Sequence, residues 1–263
     1  MKIVFLVGSY RRNGNTDQIC GLIKTHLENI AVQHSAPIEI ETIHLGQQRI
    51  EPCRGCRVCF DRGEEKCPVK DDIQAIKSKM QAADGIMVAS PIYVDDVSGI
   101  TKNWIDRLAH ACHRPEFAGK SAFSIVTVGS TRFKHALDTI NMALRCWGFH
   151  VAGQAGFKTG ALMEPEAMNA QYSEKAREVA ETFFLALHTQ AHLRPSFMSL
   201  LIFKVMQMSW SNPGRDRDTI DYQYWRNQGW TDPRRTFFIP VKSSPVKVTL
   251  ARLAGAAIGK FFG

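Results

Sequence analysis

Two stretches of this 263-residue chain hold residue types at spacings that can do chemistry. The first is Gly8-Ser9-Tyr10-Arg11-Arg12-Asn13-Gly14-Asn15-Thr16, directly after the apolar run KIVFLV and directly before a helical pattern. Backbone N–H groups, hydroxyls, a guanidinium and the positive end of a helix all favour a phosphate. The loop lacks the Gly-Lys-Ser/Thr ending of a nucleoside-triphosphate loop and the G-x-G-x-x-G of a dinucleotide turn. A monophosphate held without a metal fits it better. The second stretch is Cys53-x2-Cys56-x2-Cys59-x7-Cys67-Pro68. Four thiolates so close in sequence can converge on one soft metal centre, a 4Fe–4S cubane or zinc. They can also remain metal-free, as plain or redox-active thiols. Arg54 and Arg57 would offset the negative charge of a thiolate-ligated cluster.

The elements that must position these groups follow from periodicity. A helix capped by Thr16 carries Ile19, Leu22, Ile23 and Leu27 on one face and fades over 28–34. Strands are expected at 38–45, 86–89, 122–128 and 149–155, and helices over 73–80, 100–108, 133–144 and 173–187. Strand and helix alternate five times, which gives a doubly wound α/β fold with a five-stranded parallel sheet. Ligands in such folds sit at the carboxyl ends of the strands. Three strand ends there, at Gly8, at Ser90-Pro91-Ile92-Tyr93 and at Gly129-Ser130-Thr131, are small, polar or proline-containing.

The Gly8–Thr16 loop, together with Ser90-Pro91-Ile92-Tyr93, Ser98-Gly99 and Asp106-Arg107, resembles the NAD(P)H-dependent FMN reductase and iron–sulfur flavoprotein family, over roughly residues 1 to 190. The usual Pro of the first loop is Tyr10 here, and the third loop has less glycine than is common. The resemblance implies a flavodoxin-like fold and non-covalent FMN. Ser9, Arg11, Asn13, Asn15 and Thr16 would hold the phosphate, and Pro91, Ile92, Tyr93, Gly129 and Ser130 would line the ring. The flavin carries the redox chemistry, so no catalytic acid or base is named. The cysteine spacing is similar to the compact motif of iron–sulfur flavoproteins, with Cys53, Cys56, Cys59 and Cys67 as ligands. Two electron sources are open. One is NAD(P)H, for reduction of a flavin, quinone or other small acceptor. The other is ferredoxin, feeding an electron carrier. A flavin-binding sensor or scaffold docked to a membrane or partner is the reading from another class.

The net charge of +8 is concentrated at one end. Residues 191–263 hold 11 Lys or Arg against 4 Asp or Glu. A near-neutral domain at 1–190 with a basic, aromatic-rich, mostly helical extension at 191–263 argues against nucleic acid as a partner. Clustered cysteines, no signal-like segment and no apolar run of spanning length make a cytoplasmic protein the expectation. The extension has three readings: a wrap around a partner subunit in a homo-oligomer (dimer or tetramer), a basic amphipathic helix after Pro245 lying on a membrane, or closure of the core. Cys20, Cys112 and Cys146 are expected in or near the core.

Overall fold

The computed structural model describes residues 1–130, 132–211 and 219–262, of which 261 and 262 are described by their backbone alone. Thr131 of the third loop and the Phe261 side chain thus lie outside the described residues. In chain order the elements are β1 (Lys2–Val7), α1 (Asn15–Gln33), β2 (Glu39–His44), α2 (Val58–Asp61), α3 (Ile73–Ala82), β3 (Gly85–Tyr93), β4 (Asp96–Val97), α4 (Gly99–Arg107), β5 (Ser121–Val128), α5 (Lys134–Cys146), β6 (His150–Lys158), α6 (Pro165–His188), α7 (Phe197–Ser211), α8 (Ile220–Asn227) and α9 (Pro245–Phe262).

Five parallel strands lie in the order β2-β1-β3-β5-β6, the doubly wound order of a flavodoxin-like sheet. The central strands read as unbroken apolar runs because helices cover both faces. α3, α4 and α5 enclose one core around Trp104 and Trp147, packed edge to face at 5.1 Å. α1 and α6 enclose the other around Ile19, Ile23, Phe183 and Phe184.

Several elements run longer than their periodicity. β3 continues through Ser90 and Pro91 to Tyr93 instead of turning at Ser90. Pro91 is tolerated there because β1 ends earlier, with Val7 opposite Ala89, so the missing N–H deprives no neighbour. The residues after it fold back as a short hairpin, β4 pairing antiparallel with β3, where a plain loop is expected. β6 runs on to Lys158. α1 does not fade but holds to Gln33, and α6 starts eight residues before 173, at Pro165 in its first turn. The opening of α6 is mostly polar and exposed, so hydrophobic spacing does not announce it; the Pro does.

The extension builds a third core from Leu200, Phe203, Trp225, Trp230, Phe237, Phe238 and Ala251. Gln207, buried in α7, donates to the carbonyls of Trp230 (2.9 Å) and Asp232 (2.9 Å) and fixes the turn that follows α8. Trp225 ties this core to the sheet domain: its ring is fully buried and its Nε1–H donates to the His113 carbonyl at 2.6 Å. Trp225→Ala leaves that carbonyl unpaired and opens a cavity. A loss of about 3–5 kcal/mol is expected in urea unfolding, whereas Phe197→Ala, at an exposed ring, should cost less than about 1 kcal/mol.

Candidate functional site

Four strand ends converge on one cleft of about 260 Å³, lined by Ser9, Arg11, Gly14, Asn15, Thr16, Pro91, Ile92, Tyr93, Thr127, Val128, Gly129, Thr159, Gly160 and Ala161. Eight of the ten residues expected at the flavin are therefore brought together. Asn13 and Ser130 are not among the lining residues. Asn13 instead sits in the left-handed region at φ 58°, and its N–H donates to the Asp17 carboxylate at 2.8 Å. That turn delivers the chain into α1. Asn15 lines the cleft, but its side chain is committed elsewhere: it donates to Thr159 Oγ1 (2.9 Å) and accepts from the Met163 N–H (3.0 Å). It straps the loop after β6 to the start of α1. That loop, 159–161, and Thr127 are missed by sequence reasoning. The signal for the loop is its own composition, Thr-Gly-Ala after a strand, hidden because β6 outlasts its apolar run.

The start of α1 is open to a ligand. Its cap position is Gly14, with no side-chain cap, so the first N–H groups of the helix keep no protein acceptor of that kind. The one acid in that turn, Asp17, is occupied by Asn13 and by His44 (2.8 Å), so its charge is already partnered. The Ser9 hydroxyl accepts from the Arg11 N–H at 3.1 Å and curls the loop. Arg11 Nη2 donates to the Tyr93 hydroxyl at 3.4 Å, across the mouth of the cleft. Thr16 Oγ1 lies 2.7 Å from Thr127 Oγ1 at the cleft floor.

A second cavity, about 340 Å³, collects all four clustered cysteines with Arg54, Arg57, Phe60, Glu64, Val69, Arg107 and His110. Gly55 and Arg57 both adopt left-handed backbone, at φ 63°, so the chain coils tightly between Cys53 and Cys59. Burial pushes the Cys59 thiol up, and the nearby Cys53 and Cys67 push it further. Arg107, buried, forks onto the Asp71 carboxylate and donates to the Glu51 carbonyl (2.8 Å), holding both ends of the cysteine loop. Cys20 is buried and Cys112 and Cys146 are half-buried, all outside this cavity.

Behind the cavity lies a chain of charges. Arg114 donates to the Cys59 carbonyl (2.7 Å), to Glu64 (3.0 Å) and to Asp221 of α8. Asp221 also takes His113 Nδ1 at 2.6 Å. Lys77 Nζ lies 2.6 Å from Glu64 and 2.9 Å from Glu116. Glu64, His110 and Glu116 have ligand atoms within 4.8 Å of one another, a spacing that suits a cation, but the Lys77 ammonium already supplies one there.

The chain matches the family model for NADPH-dependent FMN reductase over residues 1–160. It is 28% identical over 231 residues to an iron–sulfur flavoprotein of Archaeoglobus fulgidus, covering 88% of this chain and 100% of that protein. It is 32% identical over 185 residues to an iron–sulfur flavoprotein of Methanosarcina thermophila, covering 69% and 92%. Among solved structures it resembles RosB, determined with 8-demethyl-8-formylriboflavin-5'-phosphate bound, at a TM-score of 0.57 and 17% identity over 73% of this chain and 80% of that one.

Burial pushes the Glu64 carboxyl up, but hydrogen bonds from Lys77 and the backbone and the nearby His110 overcome it and bring it down to about 2. A folded value below the unfolded one means the carboxylate stabilises fully above roughly pH 4.5 and loses that contribution as pH falls through about 2. Asp71 and Glu116 are lowered in the same direction. The urea midpoint should therefore fall as pH drops below about 4.5, and Glu64→Gln should flatten that slope.

Proposed function

Because the chain belongs to the NADPH-dependent FMN reductase family, we propose that it is a flavin-dependent oxidoreductase with FMN in the cleft and an iron–sulfur cluster on Cys53, Cys56, Cys59 and Cys67, fed by a reduced protein donor of the ferredoxin kind. The observation that carries this reading is the cysteine cavity: four cysteines of one short segment line a single space of about 340 Å³. Short Cys-x2-Cys-x2-Cys spacing with a fourth Cys followed by Pro suits a thiolate-ligated iron–sulfur centre, and the names of the relatives from Archaeoglobus and Methanosarcina agree with it.

When bound, FMN supplies one- and two-electron redox chemistry and the cluster one-electron chemistry. The chain's own residues bind, orient and screen. Ser9, Arg11, Thr16 and the uncapped N–H groups at Asn15 and after it meet a phosphate dianion. Asn13 shapes the turn. Pro91, Ile92 and Tyr93 at the end of β3 and Gly129 after β5 border the ring, with Ser130 next to Gly129. Arg54, Arg57 and Arg107 offset thiolate charge around the cysteine cavity. A second reading, hydride supplied by NAD(P)H for a quinone, free flavin or other small acceptor, is favoured by the half-exposed Tyr93 ring at the mouth of the cleft.

Protein purified without air should show the paired near-ultraviolet and blue bands of oxidised flavin plus a broad visible shoulder that bleaches on reduction; bands of neither kind would remove the proposal. Cys56→Ala should abolish bound iron while leaving flavin in place, and unchanged iron would refute the cluster. Arg11→Ala should weaken FMN by roughly tenfold or more, as expected for a charge-assisted contact, and leave riboflavin, which lacks the phosphate, unaffected. NADPH oxidation with added FMN, compared with reduction by ferredoxin, separates the two electron sources.

A further inference from the structure

α7 and α9 run side by side in the same direction. The Lys247 ammonium donates to the Pro195 carbonyl at 3.1 Å, and the Lys242 N–H donates to the Leu193 carbonyl at 2.7 Å. Further along, a Cβ on Gly255 would meet the Lys204 side chain, and one on Gly259 the Met208 side chain. The two glycines let the helices approach closely. α9 thus turns Ala251, Gly255 and Gly259 inward, and its opposite face carries Val246, Leu250 and Leu253, exposed by 67, 54 and 65%. Ile258 is also partly exposed, and Phe197 and Met198 stand out of the matching end of α7. Large apolar side chains at 246, 250 and 253 form one helical stripe. Among the described residues nothing covers it, and a stripe of this kind exceeds the single exposed apolar residues of an ordinary surface.

The charge on the two helices has one sign. Neither helix contains Asp or Glu. Together they hold Lys204, Lys247, Arg252 and Lys260, and Arg194 and Lys242 flank their starts. None of these six cations forms an ion pair with a carboxylate among the described residues; Arg252 donates to the Pro233 and Arg235 carbonyls instead. Also among the described residues, no helix is long and apolar enough to cross a membrane.

We infer that this face docks on an anionic lipid bilayer, the apolar stripe entering the boundary between headgroups and acyl chains and the cations meeting lipid phosphates and carboxylates. A second copy of the chain is the poorer occupant. Two-fold pairing sets a surface against itself, and here it would set a face whose helices carry cations and no acid against another of the same kind. A bare cationic surface for a polyanion does not account for the leucines.

The test uses the full chain and vesicles of phosphatidylcholine, with or without about one-third phosphatidylserine. Sedimentation with the anionic vesicles is expected, falling with added salt. Lys242→Ala and Lys260→Ala should each lower the partition coefficient by roughly fivefold. The Leu250→Ser/Leu253→Ser variant should lose binding while keeping its circular dichroism and melting temperature. Failure of the unaltered chain to sediment with anionic vesicles overturns the inference. So does a self-associated species, indifferent to vesicles, that the leucine variant dissociates. Binding to vesicles or to duplex DNA that the leucine variant retains in full marks a purely cationic surface and overturns it as well.

Discussion

A buried knot of hydroxyls sets the geometry on which the cleft depends. Ser98, the cap of α4, donates to the Gly8 carbonyl at 2.6 Å, and its own N–H donates to the Ser90 hydroxyl at 3.0 Å. Thr101, one turn into α4, reaches the same Ser90 hydroxyl at 3.1 Å. All three side chains are buried, so each must be satisfied within the protein. The knot joins the ends of β1 and β3 to the start of α4. It also dictates Gly8, since a Cβ there would overlap the Thr101 hydroxyl. The Gly8–Thr16 loop therefore leaves β1 beside the end of β3, where Ile92 and Tyr93 lie.

The same helix connects the two cavities. Its start belongs to the knot behind the cleft, and Asp106 and Arg107 at its end line the cysteine cavity. Nine residues of α-helix span about 13 Å, so one short rigid element fixes the separation of both sites. Arg107 then holds Asp71 and Glu51, while Arg114 holds Cys59, Glu64 and Asp221. These charges are nearly dry, and each is worth keeping only because its partner is present. Through Asp221 the extension becomes part of what shapes the cysteine loop.

Much of this was legible in the residues. The Gly8–Thr16 loop, the fivefold alternation and the cysteine spacing are local patterns, and local patterns survive folding. What was not legible depends on distant partners. Asn15 has the right chemistry for a phosphate, yet Thr159 and Met163, more than 140 residues away, take its side chain. Nothing near Asn15 in sequence announces this. Thr127 reads as one more strand residue until β1 and α1 bring Thr16 against it. The aromatics of the extension plainly needed burial, but sequence does not say that they would bury chiefly against one another, with Trp225 bonded to His113. His110 and His113 lie only three residues apart, yet fold into different surroundings. One lies buried among Glu64, Lys77 and Glu116, and the other lies between the Phe60 and Trp210 rings.

The parallel pairing of α7 and α9 bears on how the chain is made. An antiparallel hairpin would close as soon as its second helix appeared. Here the partner of Lys204 is Gly255, and that of Met208 is Gly259, so α7 waits for about fifty further residues. At typical synthesis rates of roughly 5–20 residues per second that is a delay of some 3–10 s. During it the most apolar helix of the extension has no lasting cover on that side. α8 and the aromatic turn after it arrive first, and Phe203 can bury against Trp225 and Phe238 before α9 exists. The order of synthesis thus gives this third core a provisional form, and the last helix closes it.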